Sequence, residues 1–437
     1  MTRLLNILFS ILLMAVSGSG VANQSDVKAV EALLEWNEQI LLAAEKEDGF
    51  LTLKGLRTSA MAHIAMYDVI ASTEDQNSPI LIQTKAVDAD PLPAIVQAAY
   101  IIVSKQYPDS IQLWESIRSR YLDAVTDGEK KRQSIKLGEE VATKILKSRE
   151  TDNWSAEADY QWHPMAPGVY AEFNEHSGTP EGFIFGSGWA KAKPFVLNSG
   201  DQFRSPPPPD IGSPEYKKAF DEVKSLGRDK SALRTKDQTH LALWWKDFVE
   251  NSHNRLARKL VREQGLGTAR TAKLFALLNV AIFDAYINVF DNKFHYNHWR
   301  PYTAIRWAEN DGNPDTEPDL SWNNTHNHTY AFPSYPSAHG TACSAAMTVL
   351  ANTFGEDTPF SMVTEEVDKA GPFSGKMKME PAKRSFSSFN EASMECSLSR
   401  IYLGIHFRYD SIEGNKLGHK IGEYILINGK QDSGVDN

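Results

Sequence analysis

Apolar residues recur at three- and four-residue spacing along most of this chain, the mark of helices that bury one face. The pattern predicts helices over 29–46, 93–104, 111–125, 132–148 and 240–263. Alternating runs of β-branched residues between turn signals are scarce, so the chain reads as all-α. Between Asp152 and Ser213 the periodicity stops. This stretch is rich in Trp, Pro and Gly and ends in Pro206-Pro207-Pro208-Pro209, which no continuous helix tolerates. A segment so long and irregular is more often a functional loop or lid than a spacer. Its aromatics, Trp154, Trp162, Trp189 and Phe203, argue that it packs onto something. The expected architecture is two helical bundles, 23–151 and 214–428, joined by an irregular Trp/Pro/Gly-rich loop over 152–213, with a tail over 429–437. A faint echo supports two bundles on one plan. His63-Ile-Ala-Met-Tyr-Asp68 aligns with Asn279-Val-Ala-Ile-Phe-Asp284, with an Ala and the Asp in register.

The N-terminus departs from this pattern. Arg3, an apolar run from Leu4 to Val16 and small residues up to Ala22 read as a secretory signal peptide, 1–22, which predicts export to the periplasm or the medium. The run is short for a membrane span, and no later segment reads as one, so no stable membrane insertion is expected. Net charge is −10 over 437 residues, which argues against nucleic acid as a partner, since its binders carry a basic face. Two cysteines, Cys343 and Cys396, make no disulfide framework. They would meet one turn behind a shared pocket, either bonded or as two reduced buried thiols, and strict bonding geometry favours the thiols.

Against this acidic background, cations gather at three points in the last third. In Lys293–Pro301, KFHYNHWRP, Lys293 and Arg300 stand seven apart. On a continuous helix that places both on one face, two turns apart, before Pro301 redirects the chain. Lysine brings a point charge and arginine a planar fork suited to two oxygens. In Ser334–Gly340, SYPSAHG, Ser337 is expected to N-cap a small-residue helix over 338–350, whose first N–H groups and dipole favour an anion. His339 sits in its first turn, placed to donate or accept a proton. In Ser399–Asp410, SRIYLGIHFRYD, a bend at Gly404 is needed to bring Arg400 and His406 to one place. His406 and Asp410 are spaced to pair, which fixes the imidazole tautomer and raises the basicity of its other nitrogen. Taken singly, these are a solvated charged face, a capped helix beside a surface histidine, and an ordinary buried ion pair. Converging, they form a site for a small, multiply charged oxyanion. His295, His298, His326 and His328 are poorly spaced for zinc and are expected to be supporting or surface groups, with His298 or Trp299 at the pocket entrance.

Together the clusters read K-x6-R-P, P-S-x-H and S-R-x5-H-x3-D. That combination resembles the signature of the superfamily joining type 2 phosphatidic-acid phosphatases, bacterial acid phosphatases and vanadium-dependent haloperoxidases. Ala338 departs from it, standing where the family usually has Gly, but keeps the backbone N–H. The segments ALLNVAIFDAY, RPYTAIRW, FPSYPSAHGTACSAA and SRIYLGIHFR, with KPFVLNSGDQFRSPPPP, look like the bacterial vanadium-dependent haloperoxidases. The resemblance implies vanadate held through His406. Lys293, Arg300, Arg400, the Ser337 hydroxyl and the Ala338 N–H would surround its oxygens, and phosphate is able to occupy the same place. It also implies His339 as acid–base, Asp410 behind His406, and Lys293 polarising hydrogen peroxide for attack by halide, iodide or bromide before chloride. Phe332 matches an aromatic that flanks the site in iodoperoxidases, whereas Phe290 stands where those enzymes usually have Trp. The same atoms permit two other readings. One is an exported acid phosphatase with His406 as nucleophile, forming a phosphohistidine, and His339 as general acid. The other is a non-catalytic oxyanion binder.

Overall fold

The computed structural model describes residues 24–49, 52–73, 78–84, 88–157, 160–171, 176–371 and 374–429. The expected signal peptide lies outside them. Thirteen α-helices carry the described fold. Five form the N-terminal half: α1 (Gln24–Asp48), α2 (Leu53–Ala71), α3 (Pro91–Gln106), α4 (Ile111–Asp123) and α5 (Glu129–Ser148). After the irregular segment come α6 (Pro214–Leu226), α7 (Lys236–Trp244), α8 (Val249–Gln264), α9 (Thr268–Tyr296), α10 (Pro301–Arg306) and α11 (Ala338–Phe354). An insertion the helical periodicity did not foretell comes next. It holds β1 (Phe360–Val363) paired antiparallel with β4 (Lys383–Phe386), and β2 (Glu366–Asp368) paired with β3 (Lys376–Lys378). Helices α12 (Phe389–Leu403) and α13 (Arg408–Asn428) close the chain.

One contiguous apolar cluster runs from Ala29 in α1 to Ile425 in α13, so the two halves share a core. Its spine is α9, which packs on α2, α11 and α13. By length and composition α9 could cross a membrane, contrary to the expectation that no later segment could, but it is 94% buried inside the protein. Polar residues punctuate this apolar helix at four-residue spacing. Asp284 accepts the N–H groups of Phe195, Val196 and Leu197 at 2.7, 2.8 and 2.9 Å. Asn288 donates to Gly200 O at 2.7 Å, and Asn292 accepts from Ser205 N at 3.0 Å while donating to Phe203 O. This polar stripe fastens the irregular segment along α9.

A second stripe positions the last helix. Gly414, Gly418 and Gly422 on α13 face α11 so closely that an added Cβ would lie 2.6 Å from Ser337 O and 2.2 Å from Thr341 O at the first two. Side chains there would push the helices apart. With glycine, backbone meets backbone, and Ser337 N donates to Asp410 O at 2.9 Å.

The expected helix over 240–263 is broken. Trp244 and Trp245 are both buried, their rings nearly perpendicular, and their indole N–H groups reach different acceptors, Ala382 O and Glu395 Oε1. Phe248 is extended, with ψ 139°, and α8 starts afresh after it. Adjacent bulky side chains with separate buried partners override the local periodicity.

Candidate active site

The three cationic segments meet where α11 begins and α12 gives way to α13. Ser337 is the N-cap of α11, its Oγ accepting from Gly340 N at 3.2 Å, so the first turn presents Ala338 and His339 to a cavity of about 300 Å³. Gly404, left-handed at φ +81°, ends α12 and turns the chain from Arg400 back towards His406. Arg400, Ile405 and His406 form the opposite wall. The expected bend is therefore present, and it is glycine's freedom at positive φ that allows it.

Lys293 and Arg300 do not share a helix face. Asn297, at φ +46°, ends α9, and Arg300 is the extended residue capping α10. The two still converge, because both clamp the segment before α11. Lys293 Nζ donates to Pro333 O and Ser334 O at 3.1 and 2.6 Å. Arg300 donates from Nε to Phe332 O at 2.9 Å and from Nη1 to Ile405 O at 3.0 Å, with His406 Nε2 at 3.4 Å. Both cations lie over the Phe332 ring, at 5.3 and 4.7 Å from its centre. Neither they nor Ser337 form the cavity wall itself; they stand directly behind it.

His406 is held from one side. Its Nδ1 lies 2.9 Å from Asp410 Oδ2 and 3.2 Å from the Ser334 hydroxyl, which itself donates to the same carboxylate oxygen. Asp410 also accepts Phe407 N–H at 3.1 Å, capping the start of α13. With Nδ1 carrying the proton toward Asp410, Nε2 is left as a lone pair turned to the cavity and Arg300. Ser334 opens the SYPSAHG motif, where spacing alone gives it no role, and its hydroxyl is the third member of this triad.

The electrostatics are those of a cationic cage with one carboxylate behind it. Lys293, Arg300, Arg400 and His406 are buried and His339 is partly so, and Asp410, behind His406, is the carboxylate among them. Burial lowers the Lys293 amine well below its usual range, with Arg300 adding repulsion, and lowers Arg300 to about 10. Burial likewise drives His406 well down, followed by repulsion from Arg300, Lys293 and Arg400. His339 falls for the same reasons, burial and then Arg400. Burial lifts Asp410 to about 7, opposed by the Ser334 hydroxyl and Lys293. His339 Nε2 and Arg400 Nε have no hydrogen-bond partner, although buried donors are rarely left unpaired. Orphaned donors, mutually repelling cations and a free imidazole lone pair all fit an oxyanion such as vanadate.

A scan of known families matches residues 273–431 to the VCPO second helical-bundle domain. That segment of the chain is similar to the family. The matched residues contain Lys293, Arg300, Arg400 and His339 and the His406–Asp410–Ser334 triad. A curated relative, the vanadium chloroperoxidase of Curvularia inaequalis, is 28% identical over 41% of this chain, a match that spans 37% of the relative's length. Among solved structures, a bacterial vanadium-dependent iodoperoxidase superposes with TM-score 0.71 at 23% identity, covering 93% of this chain and 97% of that one. A holo-type bacterial vanadium-dependent chloroperoxidase gives 0.65 at 15%, covering 87% and 94%. At these identities the likeness is one of fold.

Other expectations are corrected around this site. Phe290 and Phe332 line the cavity, but His298 and Trp299 do not. The left-handed turn at Asn297 faces them inward, where His298 Nε2 meets Tyr409 OH at 2.8 Å and Trp299 joins a cluster with Tyr216 and Trp307. His328, which its spacing places among supporting groups, does line the cavity, as do Phe185, Phe248, Tyr286 and Tyr330. Their contribution comes from four distant segments, a relation that helical spacing does not carry. Cys343 and Cys396 are free and buried, and the Cys343 thiol is pushed up by burial and by its neighbour Cys396.

Proposed function

We propose that this protein is a vanadate-dependent haloperoxidase, oxidising iodide or bromide with hydrogen peroxide to hypohalous acid. The observation that carries it is the His406 Nε2 lone pair, fixed by Asp410 and Ser334 and turned towards the buried Arg300 guanidinium and the cavity. His406 would hold vanadate through Nε2, with Lys293, Arg300, Arg400, the Ser337 hydroxyl and the Ala338 N–H around its oxygens. When bound, vanadate supplies Lewis acidity toward peroxide without changing oxidation state.

The chain's own residues do the rest. Asp410 keeps the proton on His406 Nδ1, and Ser334 holds Asp410 in place. His339, whose Nε2 faces the cavity unpaired, takes a proton from incoming peroxide and returns it to the departing oxygen. Lys293 and Arg300 hold the 332–334 segment by its carbonyls, which fixes the start of α11 opposite His406. The aromatic cavity wall excludes water from this charge cluster and strengthens it. Preference for the larger, more polarizable halides is supported by that wall and by the fold shared with the iodoperoxidase. The sequence of residues 1–22 supports export of the enzyme.

The test is to purify the protein free of phosphate, add orthovanadate, and assay halide oxidation beside phosphate-ester hydrolysis. Halide oxidation that needs vanadate supports the reading. Ester hydrolysis inhibited by vanadate, without halide oxidation, replaces it with a phosphohistidine phosphatase using the same His406.

A further inference from the structure

Away from the oxyanion site, two adjoining cavities lie where α1, α8 and the strands of the 360–386 insertion come together. The outer one, about 420 Å³, has Leu41 and Leu42 of α1 on one side and Val363 and Val367 of the insertion on another. The inner one, about 20 Å³, is a socket that carries Glu45, Glu250 and Asn251. Leu41, Glu45, Phe248 and Asn251 line both, which makes the socket an inner recess of the larger cavity.

The charges around this recess are unevenly paired. The described lining has seven acidic and four basic side chains. Every basic one is engaged: Lys246 by the carbonyls of Asp368 and Ala370, Arg255 by Asp247, Arg258 by Asn37 and Glu38, and Lys376 by Asp368. Among the described residues Glu45, Glu365 and Glu366 have no ion-pair partner. Glu250 is the sharper anomaly. It is 7% exposed and its Oε2 accepts from no donor, although a carboxyl taken out of water without one costs stability.

An anion would meet unpaired carboxylates here, and a neutral apolar molecule would leave them unanswered. The size of the socket narrows the choice among cations. About 20 Å³ holds one water-sized group. A planar guanidinium is too broad, whereas an ammonium is compact and its three donors suit two carboxylates. Among the described residues no three acidic, His or Cys side chains are placed to hold a metal ion. Beyond the socket, the leucines and valines of the outer cavity suit a short methylene chain, and Glu365 and Glu366 suit a second positive charge.

We propose that this recess binds a small linear diamine, with one ammonium seated on Glu250 and Glu45 and the chain lying in the outer cavity towards Glu365 and Glu366. The site is independent of the haloperoxidase reading. Of its described lining only Phe248 also lines the oxyanion cavity.

Burial raises the Glu250 carboxyl to about 8, opposed by its own backbone N–H and helped by Asp247, before α8, and Glu45, from α1. Helix α2 presents only Gly55 and Leu56 to the socket and adds no charge. Glu250 is therefore mostly protonated at pH 7, and an ammonium seated beside it displaces that proton. Calorimetric titration of the whole protein with 1,4-diaminobutane, at constant ionic strength and in buffers of different ionisation enthalpy, reads both events. Wild type should bind one molecule per chain, releasing about one proton at pH 7 and little at pH 9, with affinity rising between the two. Glu250→Gln, folded by circular dichroism, should weaken binding by about tenfold or more and abolish the proton release. Glu45→Gln, at an exposed position, should weaken binding while the release remains. Neutral 1,4-butanediol should not bind. Absence of diaminobutane binding, binding without proton release, binding indifferent to both substitutions, or displacement by potassium ion at equal concentration would each overturn the inference, leaving a socket for water or for a simple cation.

Discussion

On α2, Asp68 accepts the N–H groups of Ile80, Leu81 and Ile82; on α9, Asp284 accepts those of Phe195, Val196 and Leu197. Both carboxyls are buried, and burial raises both, to about 7 and about 6, against the opposing pull of the N–H groups. The two helices pack on each other, and Ser59 on α2 donates to Asn279 on α9 at 2.9 Å. The alignment of 63–68 with 279–284 thus reflects one device used twice, a buried Asp that collects three consecutive amides of an irregular strand. The two helices differ beyond the Asp. Helix α2 ends at Ala71, three residues past its Asp, whereas α9 runs on to Tyr296, fastens the irregular segment through Asn288 and Asn292, and brings Lys293 to the site. One half keeps the device for packing. The other extends the same helix until it delivers a cation to an anion cage.

Variants should separate the two uses, and the largest effect is expected at His406. Replacing it with Ala should lower vanadate-dependent halide oxidation by more than about a hundredfold, while the circular dichroism spectrum stays native. Next is Asp410→Asn, which removes the carboxylate that holds the imidazole tautomer. Orthovanadate affinity measured by calorimetry should fall about 10–100-fold. Asp68→Ala and Asp284→Ala should each cost about 3 kcal/mol in urea unfolding, because three N–H groups, buried or partly so, lose their carboxyl acceptor. Only Asp284→Ala should also weaken orthovanadate binding; equal weakening by both would break the comparison.

The smallest effect is at Glu250, buried in α8 and raised to about 8 by burial, with Oε2 unpaired. A carboxyl whose folded value lies above its unfolded one favours folding at low pH, and that contribution is lost as pH rises from about 4.5 to about 8. Glu250→Gln should therefore gain stability at pH 8 and almost none at pH 4, read as the slope of unfolding free energy against pH.

Much of the site was legible because its chemistry sits in short motifs. The Ser337 cap, the Gly404 turn and the His406–Asp410 pair are each local, and spacing along the chain is enough to expose them. Lys293 and Arg300 reach the expected site by an unexpected route, since Asn297 breaks the helix and the carbonyls of 332–334 draw them together. The stripe Asp284, Asn288, Asn292 in an apolar helix, and the Gly414, Gly418, Gly422 repeat on α13, were readable signals of where the loop and α11 dock. What no periodicity encodes is the cavity wall, whose rings come from residues 183, 185, 248, 286, 290, 330 and 332 and meet only after the irregular segment folds back. The small sheets of 360–386 escaped for a similar reason: four strands of three or four residues leave too short a pattern.

The central claim is that three segments of the C-terminal half make one oxyanion site and the N-terminal half makes none. Calorimetric titration of phosphate-free protein with orthovanadate tests it most directly. One site per chain is expected, lost in His406→Ala and retained in Asp68→Ala. Two sites per chain, or a single site indifferent to His406→Ala, would contradict it.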